Sequence, residues 1–112
     1  MTSPGKKPQP LQHDKVREVV LEALSDEGSY IEQPLSLHAR FDHPERKIDF
    51  NDVLFGLKRR WDGFRVDGFD ADNWQWKYEI KTEDIEGRSF FIVLRLDPRN
   101  KKFHVITRYP DD

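Results

Sequence analysis

The sequence contains no cysteine, which excludes disulfide bonds, thiolate zinc sites and a cysteine nucleophile at once. The fold must therefore be held by packing, for which three Trp, three Tyr and eight Phe are present. No apolar run approaches the ~20 residues that a membrane-spanning helix needs, and the first ten residues, MTSPGKKPQP, lack the apolar core of a signal peptide. We therefore expect a cytoplasmic protein with no membrane partner.

An excess of charge of one sign is also missing, since 19 Lys and Arg face 21 Asp and Glu. This balance argues against a protein that grips nucleic acid through a generally basic surface. The charge is nevertheless segregated, because the stretch 61–87 is acidic and the stretch 88–112 is basic. Two interpretations are open: turns of opposite sign that attract one another across a sheet, or a local phosphate-binding patch in the basic stretch.

The length of 112 residues leaves room for one domain. Residues 1–12 contain three prolines and little that can be buried, so we expect them to form a disordered N-terminal tail. Residues 13–112 are expected to form a single domain.

Apolar residues recur at helical spacing in three stretches after the tail. The first begins at His13, and Gly28 is placed to end it. The second runs from a capping Ser36 to about Pro44. The third has Asp49 as its predicted N-cap, and its apolar residues are Phe50, Val53, Leu54 and Leu57.

Beyond Trp61 the spacing of apolar residues changes to two, which is typical of strands. Turn dipeptides at Asp62-Gly63 and Asp67-Gly68 predict a short strand at 64–66. Further strands are expected at 74–81, 89–96 and 103–109.

This order of elements predicts an α+β domain, with two or three N-terminal helices packed on one face of a three- or four-stranded antiparallel meander. Strict alternation places Thr107 and Tyr109 with the core residues and four polar residues on the opposite, open face. Those four are Lys77, Glu79, His104 and Arg108. Functional chemistry is expected on the open face. Trp74 and Trp76 could stack unpaired bases, but their alternation with polar residues favours a place in the core.

Five short segments together form a recognisable pattern: His38-Ala39-Arg40-Phe41, Arg46, the helix start Ile48 to Val53, the strand Tyr78-Glu79-Ile80 and the strand Val105 to Tyr109. This pattern resembles a bacterial family of unknown function that is grouped with the barnase-like and RelE-like ribonuclease toxins. The resemblance extends from Leu37 to Tyr109 and implies an N-terminal helical pair followed by a four-stranded antiparallel sheet. It implies family-pattern positions at His38, Arg40, Arg46, Thr107, Arg108 and Tyr109. RelE-like toxins are strongly basic and this chain is not, which argues against ribosome binding of their type.

Metal-independent RNA cleavage needs a base for the 2′-hydroxyl proton, an acid for the leaving 5′-oxygen and cations around the phosphate. The predicted catalytic residues are His38, Arg46, Lys77, His104 and Arg108, and the predicted substrate-binding residues are Arg40, Arg95 and Tyr109. Each also has a purely structural interpretation, as a packed histidine, a member of a cross-strand ion pair or a core aromatic ring.

Neither a cofactor nor a metal is expected. His38 and His43 are five residues apart and cannot share a helix face as two metal ligands would. The acidic stretch from Asp67 to Asp72 lacks the glycine and the final glutamate that a calcium loop has at fixed positions.

Two functions from different classes are open. The first is an endoribonuclease toxin that acts on RNA and has a cognate antitoxin as its partner. The second is a non-catalytic domain that binds another protein on the same scaffold. A histidine, His38 or His104, within hydrogen-bond reach of two cations at a concave site favours cleavage, whereas histidines held in ion pairs favour the interaction domain.

Overall fold

The computed structural model describes residues 7–25, 30–31 and 48–111. The described elements are two helices, one short strand and four long strands. The helices are α1, His13–Ser25, and α2, Phe50–Lys58. The strands are β1, Tyr30–Ile31; β2, Gly63–Asp70; β3, Gln75–Glu83; β4, Ser89–Asp97; and β5, Lys102–Pro110.

Strands β2 to β5 form an antiparallel meander in which each strand pairs with the next along the chain. The short β1 lies parallel to β5, so the strand order across the sheet is β1-β5-β4-β3-β2. The predicted α+β class and the four-stranded antiparallel meander are confirmed. The helix predicted from Ser36 to Pro44 lies outside the described residues. Among the described elements there is no helix with the length and apolar character to cross a membrane.

Helix α2 begins where the sequence predicts, because Asp49 and Asp52 form a capping box. The Asp52 backbone N–H donates to Asp49 Oδ1 at 3.0 Å, and the Asp49 N–H donates to Asp52 Oδ2 at 3.3 Å. At the other end, Arg17 of α1 donates to the carbonyl oxygens of Lys58 and Arg59, each at 3.2 Å. The Arg17 guanidinium therefore links the two helices and satisfies carbonyl groups at the end of α2.

Both helices pack on one face of the sheet, which we call the inner face. Helix α1 buries an apolar stripe that includes Val16 and Val20, and α2 buries Val53 and Leu57. These residues form one hydrophobic cluster with the inner face, because most of the alternate strand residues that point to that face are apolar. The buried strand residues of the cluster are Tyr78, Ile80, Phe90, Ile92, Leu94, Leu96, Phe103 and Val105.

The opposite face, which we call the outer face, carries three rows of side chains that cross β3, β4 and β5. The first row is Lys77, Arg95 and His104; the second is Glu79, Val93 and Thr107; the third is Lys81, Phe91 and Tyr109. Successive rows lie roughly 7 Å apart, because they are separated by two residues along each strand.

Two β-bulges decide which side chains reach the outer face. The extra residue is Asp67 in β2 and Ile106 in β5. Because side chains alternate along a strand, one extra residue exchanges the faces of everything beyond it. Asp67-Gly68 is therefore not the predicted turn but part of one continuous strand, and the bulge places Asp70 on the outer face.

The bulge in β5 overturns the predicted faces of three residues. Thr107 and Tyr109, expected with the core, lie on the outer face with His104. Arg108, expected on the open face, pairs with Ile92 on the inner face and is 9% exposed. The prediction was wrong because it assumed a regular strand, in which Ile106 would not be an extra residue.

Trp74 lies in the turn between β2 and β3 rather than in β3, where alternation had placed it. Its φ of 54° falls in the left-handed region, which large side chains rarely adopt. The residue is 42% exposed and its ring meets Phe69 edge to face at 5.0 Å. Trp76, by contrast, packs against the core cluster. The predicted core position is thus confirmed for Trp76 and wrong for Trp74.

Residues 7–12, which the composition assigns to the disordered tail, lie beside β3 on the inner face. Trp76 Nε1 donates to the carbonyl oxygen of Pro8 at 2.8 Å, and the Leu11 N–H donates to the Tyr78 hydroxyl at 2.9 Å. The Leu11 side chain packs against the core. Aromatic side chains of β3 therefore hold a segment that offers little apolar surface of its own.

Gly56 lets α2 approach the sheet closely, which predicts a specific packing defect. A Cβ at this position would lie 2.6 Å from Thr82 Cγ2 and 3.1 Å from Phe90 Cζ. We expect Gly56→Ala to lower the free energy of unfolding by about 1–3 kcal/mol, because overpacking outweighs the smaller gain in helix propensity. Urea unfolding followed by circular dichroism measures the loss.

Thr82→Ser provides the matched test of that contact. It removes the methyl group and keeps the hydroxyl that donates to the Gly56 carbonyl oxygen at 2.8 Å. The double variant should recover part of the Gly56→Ala loss, with a coupling energy of about 0.5 kcal/mol or more. Strictly additive losses would show that the Thr82 methyl group is not the obstacle.

Candidate functional site

Four of the predicted site residues share the outer face, and one does not. The four are Lys77, Arg95, His104 and Tyr109. Arg108 is separated from them by the sheet itself. His38, Arg40 and Arg46 lie outside the described residues. The candidate site is therefore built from β3, β4 and β5, with further groups from β2.

Arg95 organises the first group on the outer face. Its Nε donates to Gln75 Oε1 at 2.9 Å, its Nη1 to Asp70 Oδ2 at 3.2 Å and its Nη2 to His104 Nδ1 at 2.7 Å. Asp70 can take part only because the bulge in β2 turns it towards this face. The Arg95 side chain is 18% exposed, so its position is fixed by three partners rather than by solvent.

His104 is held as a neutral imidazole with a defined tautomer. A guanidinium can only donate, so Nδ1 accepts from Arg95 and the proton of the neutral ring lies on Nε2. Burial lowers the pKa of His104 below its ordinary value, and the positive charge of Arg95 lowers it further. At neutral pH this side chain is therefore a hydrogen-bond donor through Nε2 and not a base through Nδ1.

Glu79 is the centre of a second group, in the next row. Arg65 of β2 holds it through two hydrogen bonds, from Nε to Oε1 at 2.8 Å and from Nη2 to Oε2 at 3.2 Å. The Tyr109 hydroxyl donates to Oε2 across the width of β4. Glu79 is only 8% exposed, so these donors replace the water that a surface carboxylate would have.

The pKa values of this group are set by the same contacts. Burial acts to raise the pKa of Glu79, but hydrogen bonds from Arg65 and Tyr109 and the charge of Arg65 outweigh it and leave the pKa lowered. Burial, the bond to Glu79 and the carboxylate charge raise the pKa of Tyr109 to about 12. Around neutral pH, Glu79 is thus an anion and Tyr109 keeps its proton.

Glu79 retains an acceptor position that the described contacts do not use. A carboxylate oxygen can accept about two hydrogen bonds. Among the described residues, Oε2 accepts from Arg65 and Tyr109, whereas Oε1 accepts only from Arg65. Arg65, the neighbouring cation, has 59% of its side chain exposed and can reach a ligand while it holds the carboxylate. The group can therefore accept a proton and stabilise an adjacent negative charge.

The alternative interpretation of the charged residues, as partners in ion pairs, also has support. Arg95 lies 3.2 Å from Asp70, Arg88 of the basic stretch lies 3.2 Å from Asp84, and Lys77 lies 3.9 Å from Asp67. Within the described ranges His104 meets one guanidinium, not two. No group of three or more metal-binding side chains occurs among the residues that the structure describes.

Sequence reasoning did not select Glu79 and Arg65 as site residues. Alternation did place Glu79 on the open face, and an Arg and a Glu at facing positions of adjacent strands would have been a usable signal. Its contact with Tyr109 had no such signal, because it depends on the bulge at Ile106.

The lowered pKa of Glu79 makes stability depend on this residue in acid. The folded pKa lies below the ordinary 4.5, so ionised Glu79 stabilises the fold above that value. The contribution is lost as the pH falls through the folded pKa. We expect Glu79→Gln to be less stable than the wild type at pH 7 and to lose less further stability between pH 5 and pH 3. Urea midpoints across that range measure the difference.

Glu86→Gln is the matched control for this titration. Glu86 lies in the β3–β4 turn, its side chain is 70% exposed and it pairs with Arg88. Exposed pairs of this kind contribute little, so this variant should follow the wild type. Equal acid sensitivity of Glu79→Gln and the wild type would contradict the assignment.

No protein-family model matches the chain, and neither a curated protein nor a solved structure is similar enough to match it.

Proposed function

We propose that the protein is a metal-independent endoribonuclease of the ribonuclease-toxin type, with the outer face of the sheet as its RNA site. The observation that carries the proposal is the ionised Glu79 carboxylate, 8% exposed and bound by Arg65 and Tyr109 on the face opposite both described helices. A base, a cation and a protonated phenol are groups suited to phosphodiester cleavage by a 2′-hydroxyl, and here both the cation and the phenol contact the base.

In the proposed reaction, Glu79 Oε1 accepts the proton of the 2′-hydroxyl as the 2′-oxygen attacks phosphorus. Arg65 stabilises the charge that develops on the non-bridging oxygens. Tyr109, whose pKa of about 12 keeps it protonated, donates its proton to the departing 5′-oxygen. After product release, Glu79 Oε1 gives its proton to water and the Tyr109 phenolate takes a proton from water, because the pKa of Tyr109, about 12, favours the phenol. The products are a 2′,3′-cyclic phosphate and a 5′-hydroxyl end, and both residues recover their starting state.

The first row supports this chemistry by binding substrate. Neutral His104 donates from Nε2 to a phosphate oxygen, and Lys77 contributes a positive charge in the same row. Arg95 acts as a positioning residue, since it fixes the His104 tautomer and is itself held by Asp70 and Gln75. Substrate binding is thereby assigned to the first row, and catalysis to Glu79 and Tyr109 of the second and third rows together with Arg65 of β2.

A place in the barnase-like and RelE-like superfamily is part of the proposal. It is supported by the order of helices followed by a four-stranded antiparallel meander and by the motif residues within the described part of the chain, from Ile48 to Val53 and from Val105 to Tyr109. The proposed partner of such a toxin is a cognate antitoxin protein.

Purified full-length protein incubated with single-stranded RNA tests the proposal. We expect cleavage without added metal ions and products that carry a 2′,3′-cyclic phosphate. Glu79→Gln and Tyr109→Phe should each reduce the rate about 10²- to 10⁴-fold, because each removes one proton-transfer group. Replacing the 2′-hydroxyl by hydrogen at the cleaved position should abolish cleavage there.

Glu86→Gln is again the matched control and should cleave at the wild-type rate. Induced expression with a growth and RNA-integrity readout tests the same activity in cells. Full activity of folded Glu79→Gln, or intact RNA after incubation with the wild type, would refute the proposed chemistry.

The second candidate is a non-catalytic domain that binds another protein through the outer face. One observation favours it: His104 is occupied by Arg95, whose other donors bind Asp70 and Gln75, as in a structural ion-pair network. Absence of RNA cleavage by the folded wild type would favour this candidate, whereas loss of cleavage in Glu79→Gln alone would exclude it as the sole function.

A further inference from the structure

A groove of about 830 Å³ opens where the N-terminal segment meets two turns at one end of the sheet. Residues 7–11 form one wall, the β2–β3 turn a second and the β4–β5 turn a third. The aromatic lining residues are Trp74, Trp76 and Tyr78, and the basic ones are Lys7 and Arg99. The groove is thus aromatic at its floor and mainly basic at its rim.

Trp74 is unusual in two independent respects. Its backbone adopts the left-handed region, which is unfavourable for a residue with a large side chain. Its indole is also 42% exposed, although neighbouring Trp76 packs against the core. The contact with Phe69 leaves much of the ring exposed, and an exposed ring in the wall of a groove can be reached by a ligand.

Gln75 belongs both to the groove and to the outer face, so the two surfaces meet at the start of β3. This residue lines the groove, and its Oε1 accepts from Arg95 Nε at 2.9 Å in the first group of the candidate site. Gln75 and Glu79 are four residues apart in one strand, which is a separation of roughly 13 Å. A single nucleic-acid strand that crosses the outer face and passes the end of the sheet can therefore place a base in the groove, more than one nucleotide from the linkage at Glu79.

We infer that the groove binds an unpaired base of single-stranded RNA, stacked on Trp74, from the same strand whose cleaved linkage lies at Glu79. This inference rests on the proposed function and names the substrate as single-stranded. An indole stacks on any base. Lys7 and Arg99 complement the flanking phosphates, and the one acidic lining residue, Asp97, is bound by Asn100 at 2.8 Å.

Fluorescence anisotropy with a labelled single-stranded oligoribonucleotide tests the inference on the full chain. All its 2′-hydroxyls are methylated, so that binding is measured without cleavage. We expect Trp74→Ala to weaken binding about 5- to 100-fold, the usual range for loss of one stacked base. Trp74→Phe should restore most of the affinity, because it keeps an aromatic ring.

Phe55→Ala is the matched control, since Phe55 is 41% exposed on α2 and does not line the groove. It should bind like the wild type. Binding of the methylated probe is measured without cleavage, so a failure of the proposed catalysis and a failure of this inference give different results. A probe with an abasic site gives a further test. Stacking is supported if this probe binds the wild type more weakly than the intact probe does, and binds the wild type and Trp74→Ala equally.

Three outcomes would overturn the inference. They are wild-type affinity in folded Trp74→Ala, no binding of the probe by the wild type, and Trp74-dependent binding of a proline-rich peptide (residues 1–11 of the chain) in place of RNA.

Discussion

A strand side chain can reach only one face of its sheet, and the composition of the outer face depends on two departures from that alternation. The extra residues Asp67 and Ile106 turn Asp70 and Tyr109 towards the face that already holds Glu79 and His104. Without the bulge in β5, Tyr109 would point into the hydrophobic cluster and Glu79 would lose one of its donors. Strand register therefore determines both which residues enter the core and which form the candidate site.

The two polar groups on the outer face differ in whether a hydrogen-bonding position remains that the described contacts do not use. Arg95 has three described partners and low exposure, so it is suited to hold neighbouring groups in place. Glu79 is as firmly held, but its Oε1 keeps an acceptor position and Arg65 remains accessible. Burying a carboxylate costs free energy that a simple surface ion pair does not recover well. That cost is easier to understand for a group that acts on a ligand than for one that only joins two strands.

Much of the fold could be predicted because its signals are local. The Asp49 cap, the helical stripe after it and the three strands from Gln75 onwards were all visible as spacing. The faces beyond Ile106 could not be predicted, because a bulge has no residue signature comparable to a turn dipeptide. The order of residues 7–12 escaped prediction for another reason: its hydrogen bonds come from Trp76 and Tyr78, more than sixty positions away.

The N-terminal segment has a consequence for how the protein can change during evolution. Substitutions on the outer face are restricted, because each residue there is tied to the register of β3, β4 and β5. The wall formed by residues 7–11 is held chiefly through the Pro8 carbonyl and the Leu11 N–H, groups that almost any side chain leaves in place. Apart from Leu11, whose side chain packs against the core, its sequence can therefore change at little cost to the fold, and the groove can acquire a new ligand preference more readily than the outer face.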